Sequence, residues 1–481
     1  MKNLKTMVLF CACICIAFTS CYKREVPPLT NATLVGWWKP QNYLVEAKLY
    51  FGADGFFYND TIAGKAPIAG YWKQRNDTII CSAQQNGSPN IQFVISHLNN
   101  STLRLSKVGV GVQQTYSKLD TPAITSPPIF LVAGNGASGY LGDDGPATYA
   151  TIEGDRPVAT DKHGNIYISN GAYGVIREIS VNDGTIKTIA GNGKPGSSKY
   201  YRNPIMATCD CSIGPGFLAV DGDDNVYFTD FYANAIYKLS RADNMIYLVA
   251  GNGTPGFSGD GDSAVNASLY HPYGLALDNK HGYLYILDLG NARIRKVNLS
   301  TGIITTFAGN GSAFNDSGDG NLAINATINS FGIATDVDGN VYIATGSASI
   351  RKISAETNII TTIAGAHYTT LSEYKKGDGG PAVNAMFRLP WAVTVSATGD
   401  VFVADNVDNA IRKINHSTNI ITTVAGTGYA GRDVASGPHA TGYSLYKPTF
   451  LATDPAGKTL YIAVGTNRLY GVGPFYIKSI K

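Results

Sequence analysis

The chain has 481 residues, too many for one ordinary domain, with only 15% charged residues, 54 Gly and 29 Tyr. Few charges among many glycines and tyrosines suit short strands and tight turns. A net charge of +3, with no basic cluster beyond the N-terminus, excludes a nucleic-acid-binding surface.

Residues 1–21 read as a secretion signal. Lys2 and Lys5 supply the positive start, and residues 7–18 form an apolar core too short to cross a bilayer as a helix. The segment ends Phe18-Thr19-Ser20-Cys21, which resembles the bacterial lipobox, although Phe18 stands where Leu is usual. That resemblance implies lipidation of Cys21. It implies a protein held in the bacterial cell envelope, at the outer membrane facing periplasm or cell surface, and touching the membrane through this anchor only. Residues 22–32 follow as a tether.

Of seven cysteines, Cys11, Cys13 and Cys15 leave with the signal. Cys209-Asp210-Cys211 is too closely spaced for a zinc knuckle. A local Cys209–Cys211 disulfide, a pairing of either with Cys81, and unpaired thiols all stay open.

Residues 33–119 alternate in short runs separated by Gly, Asn and Asp, the pattern of an antiparallel meander or small barrel. Gly36-Trp37-Trp38-Lys39, Asp54-Gly55, Gly70-Tyr71-Trp72 and Tyr116 resemble the lipocalin-like domains of bacterial lipoproteins, which implies core roles for Trp37 and Trp72. Residues 120–128 are a Pro-rich linker.

From residue 129 onward one strand keeps returning: IFLVAG, IKTIAG, IYLVAG, IITTFAG, IITTIAG and IITTVAG. Its alanines fall at Ala133, Ala190, Ala250, Ala308, Ala364 and Ala425, with spacings of 57, 60, 58, 56 and 61. Between these turns three more short strands recur in constant order, so each unit offers four antiparallel strands. Such a unit cannot bury its faces alone, and repetition at this period predicts an all-β propeller. Full sets begin near Pro157, Pro215, Pro272, Ser330 and Pro390. A sixth begins at Pro448, with residues 459–464 and 474–480 as its second and third strands and no fourth. Strand 129–133 supplies the missing piece, so residues 129–481 are expected to form six blades closed by the first strand.

Pro272-Tyr-Gly-Leu-Ala, Gly339-Asn-Val-Tyr-Ile-Ala and Ile411-Arg-Lys-Ile closely resemble NHL repeats. Bacterial members of that family share the connector that recurs here from Gly142, Gly259, Gly318 and Gly377. Its Gly-Asp-Gly part reads as a turn, and its Pro-Ala-x-x-Ala part as one helical turn. The second and sixth blades lack it.

The connector aspartates Asp260, Asp262, Asp319 and Asp378 fit neither standard calcium-loop spacing and read as turn residues. Asp230, Asp288 and Asp405, with Arg295, Arg351 and Arg412, repeat from blade to blade. Repetition argues for structure, since a catalytic group is needed once. Peptidyl-hydroxyglycine lyases of the NHL type place metal-binding His residues just after the Pro that opens inner strands. Those positions here are Val158, Gly216, Tyr273, Phe331, Trp391 and Thr449, none of them His. No metal, other cofactor or catalytic residue is expected.

What differs between blades is aromatic: Tyr273, Phe331 and Trp391 open consecutive inner strands and should cluster at one channel mouth, with Tyr270 and Tyr446 nearby. NHL propellers generally serve as binding scaffolds. The resemblance therefore implies a monomeric, surface-anchored protein that recognises a protein or glycan at that mouth. The alternative is a propeller enzyme, a lyase or lactone hydrolase acting there.

Overall fold

The computed structural model describes residues 127 and 129–472, apart from 128, 154–155, 195–199, 209–210, 367–375, 432–439 and 467. The signal, Cys21, the lipocalin-like domain and residues 473–481 lie outside the described residues.

Six four-stranded antiparallel blades follow one another. The third is typical: Pro272–Asp278 is innermost, followed by Tyr283–Asp288, Arg293–Asn298 and Ile304–Ala308. Blade 2 carries a fifth outer strand, Ile205–Met206. In blade 6 the sheet order is Ile129–Ala133, Arg468–Val472, Leu460–Val464 and Pro448–Thr453. The first strand of the ring therefore completes the last blade. The third strand of that blade is Arg468–Val472, not residues 474–480. Leu469 and Tyr470 are buried there, and Val464 pairs with Arg468 across a tight turn.

Burial on both sides of each blade explains the β-branched sequences. Second strands such as Val341–Thr345 are buried at every position, because a neighbouring blade covers each face. Outer strands such as Ile304–Ala308 bury only their ends, which is why threonines occupy the middle. The hairpin after each inner strand is set by a repeated aspartate. Asp336 Oδ1 accepts the Asp338 and Asn340 amides, while Oδ2 accepts Asn340 Nδ2 and the Tyr342 hydroxyl. That bonding accounts for the Asp-x-x-Gly-Asn-x-Tyr spacing.

The Ala-Gly exit turn has its own cause. Ala308 is fully buried, and Gly309 sits at φ +95° with the carbonyl of Ala292 where a Cβ would lie, 2.4 Å away. The equivalent Gly251 has the Asn234 carbonyl at 2.3 Å. No L-residue fits either constraint. The Gly309 amide then donates to Ala323 O at 2.9 Å and Asn310 N to Ala326 O at 2.9 Å. Ala323–Asn325 is the expected helical turn, of 3-10 type. Ala323 N in turn donates to Asn358 O at 2.8 Å, at the start of the next outer strand. Each connector thus ties one blade's exit to the edge of the next and covers that edge.

Candidate functional site

Four arginines of the third strands, Arg177, Arg295, Arg351 and Arg412, are completely buried. Each meets the aspartate of the connector leading into its own blade. Arg351 Nε and Nη2 donate to Asp319 Oδ1 at 3.0 and 2.7 Å, and its remaining donors reach Thr327 O and Ser317 O, both at 3.0 Å. Asp319 Oδ2 accepts the Thr362 amide at 2.7 Å. Asp260 and Asp378 each accept Nη2 alone of Arg295 and Arg412 at 2.8 Å, their second oxygens taking Thr306 and Thr423 hydroxyls at 2.6 Å. These carboxylates clip the connector to the third and outer strands. Burial alone would raise the Asp319 carboxyl, but the Thr362 and Arg351 bonds hold it below the usual range.

Asp230, Asp288 and Asp405 end second strands and cap the residues leading into the inner strand. Asp288 Oδ1 accepts the Tyr270 amide at 2.7 Å, Asp230 Oδ2 the Gly214 amide at 2.8 Å, and Asp405 the Leu389 amide at 3.0 Å. Burial pushes the Asp288 and Asp405 carboxyls up to about 6, against the hydrogen bonds and arginines that favour ionisation. These repeated acids and bases thus make the same kinds of bonds, joining connectors and strands, in successive blades.

The six inner strands surround a channel of about 220 Å³ lined by Leu218, Leu275, Ile333, Val393 and Leu451 among others. Phe331 and Trp391 stack face to face at its start, centroids 4.7 Å apart and planes 5° from parallel. Both are half-buried, and Trp391 Nε1 is buried without an acceptor among the described residues. Tyr273, also half-buried, packs edge-on against Phe217 at 4.8 Å. Phe217 in turn meets Phe450 at 4.9 Å and 80°.

Phe217 and Phe450 were not singled out by the sequence. They come from blades 2 and 6, on either side of blade 1, and their contact narrows the channel. The register-equivalent residues elsewhere are Pro157, Gly274, Gly332 and Ala392. Two Phe at a position otherwise Gly, Ala or Pro was the available signal. Register also corrects blade 1. Val158 pairs with Ile168 as Leu275 pairs with Ile286, so the position matching Tyr273 is Arg156 rather than Val158. Arg156 forms an ion pair with Glu153, whose second oxygen accepts the Ala172 amide at 2.9 Å.

Cys211 is buried, its thiol donating to Ala207 O at 2.8 Å, and Cys209 lies outside the described residues.

Similarities to known proteins agree with this architecture. The Teneurin NHL domain family matches residues 236–314, from the third strand of blade 2 through the exit of blade 3. The chain is 26% identical over 261 residues to Protein SUPPRESSOR OF QUENCHING 1, chloroplastic, of Arabidopsis thaliana, covering 53% of this chain and 24% of that one. It is 24% identical over 382 residues to human Teneurin-1, covering 70% of this chain and 13% of that one. The chain thus spans about a quarter or less of the length of these relatives. Among solved structures, a protein of unknown function from Bacteroides thetaiotaomicron superposes with a TM-score of 0.52 at 16% identity, over 94% of this chain and 99% of that one. An auxiliary nutrient binding protein from Bacteroides ovatus superposes with a TM-score of 0.51 at 13% identity, over 94% and 100%. Residues 236–314 thus match the Teneurin NHL domain family, and the described residues fold as a six-bladed β-propeller.

Proposed function

We propose that this NHL propeller is a binding module, anchored to a bacterial envelope through Cys21, that takes a protein or glycan ligand at the mouth formed by Tyr273, Phe331 and Trp391. The observation that carries the reading is the Phe331–Trp391 stack. Two large flat rings lie parallel and half-exposed, with a buried indole N–H lacking an acceptor beside them. A ligand that covers the exposed ring surface would take it out of water. The repeated charged residues are held in structural bonds, and the register-equivalent mouth positions are Arg156, Gly216, Tyr273, Phe331, Trp391 and Thr449. That set suits adhesion better than acid–base chemistry. The likeness to an auxiliary nutrient binding protein supports a binding role.

Screened on glycan and extracellular-protein arrays, the wild-type protein should give ligands whose Kd rises about tenfold in Trp391→Ala, the loss of roughly 1.4 kcal/mol of ring contact. The melting temperature of the variant should stay close to wild type. Unchanged affinity removes the mouth as the site. For the anchor, Cys21→Ala should move the protein from the membrane fraction to the soluble fraction in a bacterial host. Retention of the variant on membranes refutes lipidation.

A further inference from the structure

Between blades 2 and 3 the same face of the ring carries four more aromatic rings. Phe231 and Tyr232 follow the second strand of blade 2, and Tyr270 and His271 precede the inner strand of blade 3. Phe231 and His271 stack with centroids 4.2 Å apart at 10°, and Tyr270 lies on the other partner, His271, at 4.4 Å and 32°. Tyr232 stands edge-to-face on Phe231 at 5.2 Å and 81°.

The array is rigidly seated. The His271 amide donates to Asn234 Oδ1 at 3.0 Å, holding His271 at φ +50°. The Tyr270 amide is held by Asp288, and its carbonyl accepts Gly290 N at 2.8 Å. The Tyr270 ring rests directly on Gly290, where a Cβ would lie 2.5 Å from it. Yet the array is open to solvent: Tyr232 is 78% exposed and Tyr270 39%. Neither phenol oxygen nor either His271 ring nitrogen has a hydrogen-bond partner among the described residues.

The fold does not require these rings. The positions of Phe231, Tyr232, Tyr270 and His271 hold Leu289, Gly290, Ile328 and Asn329 between blades 3 and 4, and Gly346, Ser347, Arg388 and Leu389 between blades 4 and 5. What repeats in this chain is structural, and this cluster does not repeat. Flat apolar faces bordered by free hydroxyl and imidazole edges, with no lysine, arginine or carboxylate among them, match a pyranose. A pyranose offers C–H faces to rings and hydroxyls to their edges. A strand-adding peptide would instead need an open sheet edge, and a polyproline segment a groove walled by aromatic rings, whereas Tyr232 protrudes at 78% exposure. We propose that Phe231, Tyr232, Tyr270 and His271 form a second binding site, separate from the channel mouth, for a neutral saccharide chain stacking on Tyr232.

Native electrophoresis of the full chain through gels containing galactomannan, mixed-linkage β-glucan or pullulan tests this. At least one of these should retard the wild-type protein. Tyr232→Ala, a surface change, should lower that affinity roughly three- to tenfold, with Tyr232→Phe in between. No retardation by any of the three overturns the proposal, as does equal retardation of Tyr232→Ala. Retardation lost in Trp391→Ala but kept in Tyr232→Ala assigns binding to the mouth and also overturns it. A Tyr232-dependent shift with a tryptic casein digest but with no polysaccharide replaces the saccharide by a peptide and overturns it too.

Discussion

Removing residues 129–133 from the full chain should lower the melting temperature of the propeller by 10 °C or more. Ile129, Phe130, Val132 and Ala133 are all buried, and the strand forms the outer edge of the sixth blade. Losing three large buried apolar side chains costs roughly 4.5–9 kcal/mol at about 1.5–3 kcal/mol each. That is comparable with the whole stability of an ordinary domain, about 5–15 kcal/mol. The loss should exceed that of a simple edge strand for a further reason. Gly134 N and Asn135 N, which follow the strand, bond Ala147 O and Ala150 O at 3.0 Å in the connector to blade 1. Strand 129–133 therefore joins the last blade to the first, and its removal opens the ring. Deleting residues 121–125 of the linker is the matched control and should leave the transition in place. Calorimetry on both deletions decides the matter: equal melting temperatures would refute closure by this strand.

This closure was legible because the repeat is long and regular. Six Ala-Gly turns at nearly constant spacing left one strand too many at the start and one too few at the end. Register was less legible. Hydrogen bonds to the second strand set it, not prolines. In blades 2, 3, 5 and 6 proline opens the inner strand, whereas in blade 1 Pro157 falls two residues later in register, at the position of Phe217. Reading from proline therefore chose Val158 and missed Arg156. The third strand of blade 6 was misplaced for a similar reason. Residues 474–480 are richer in β-formers than the Gly-containing Arg468–Val472, but the latter pairs with Leu460–Val464. Propensity gave way to tertiary pairing.

At the candidate site, the sequence named the three mouth aromatics but neither the stack between two of them nor the Phe217 partner of the third. The parallel stack of Phe331 on Trp391 brings together residues of adjacent blades, and the Phe217–Phe450 contact brings together the second and sixth. Neither is local in sequence. The Arg–Asp clips were hidden likewise. The connector aspartate and its arginine lie 32 residues apart in blade 4, although both were seen to recur.

Recurrence of both partners sharpens the second large expectation: Arg351→Tyr should destabilise the protein by about 3–5 kcal/mol, even though tyrosine is what two other blades carry at that position. Tyr237 and Tyr470 pair with Phe228 and Ile462 as Arg351 pairs with Ile343. Both belong to blades whose connectors lack the Gly-Asp-Gly turn. In blade 2 the Tyr237 hydroxyl instead accepts the Tyr201 amide at 2.8 Å, from that blade's own divergent connector. In blade 4 the replacement would leave the Ser317 and Thr327 carbonyls without their donor and Asp319 without its counter-charge. Leaving the two carbonyls without their donor costs about 1–3 kcal/mol each, and the partly solvated Asp319 adds less. Lysine should rescue little, because a single ammonium cannot serve Asp319, Ser317 and Thr327 in the fork geometry of a guanidinium. Asp319→Asn should cost less, about 1–2 kcal/mol, since the Asp319 side chain is 41% exposed and water can replace its bonds. The double variant Arg351→Met with Asp319→Asn should be less destabilised than the sum of its parts, because each change removes a group the other leaves unpaired. Denaturant unfolding of wild type, Arg351→Met, Asp319→Asn and the double variant measures that coupling. Additive costs would mean that arginine and connector aspartate are independent, and that their joint absence from blades 2 and 6 has another cause.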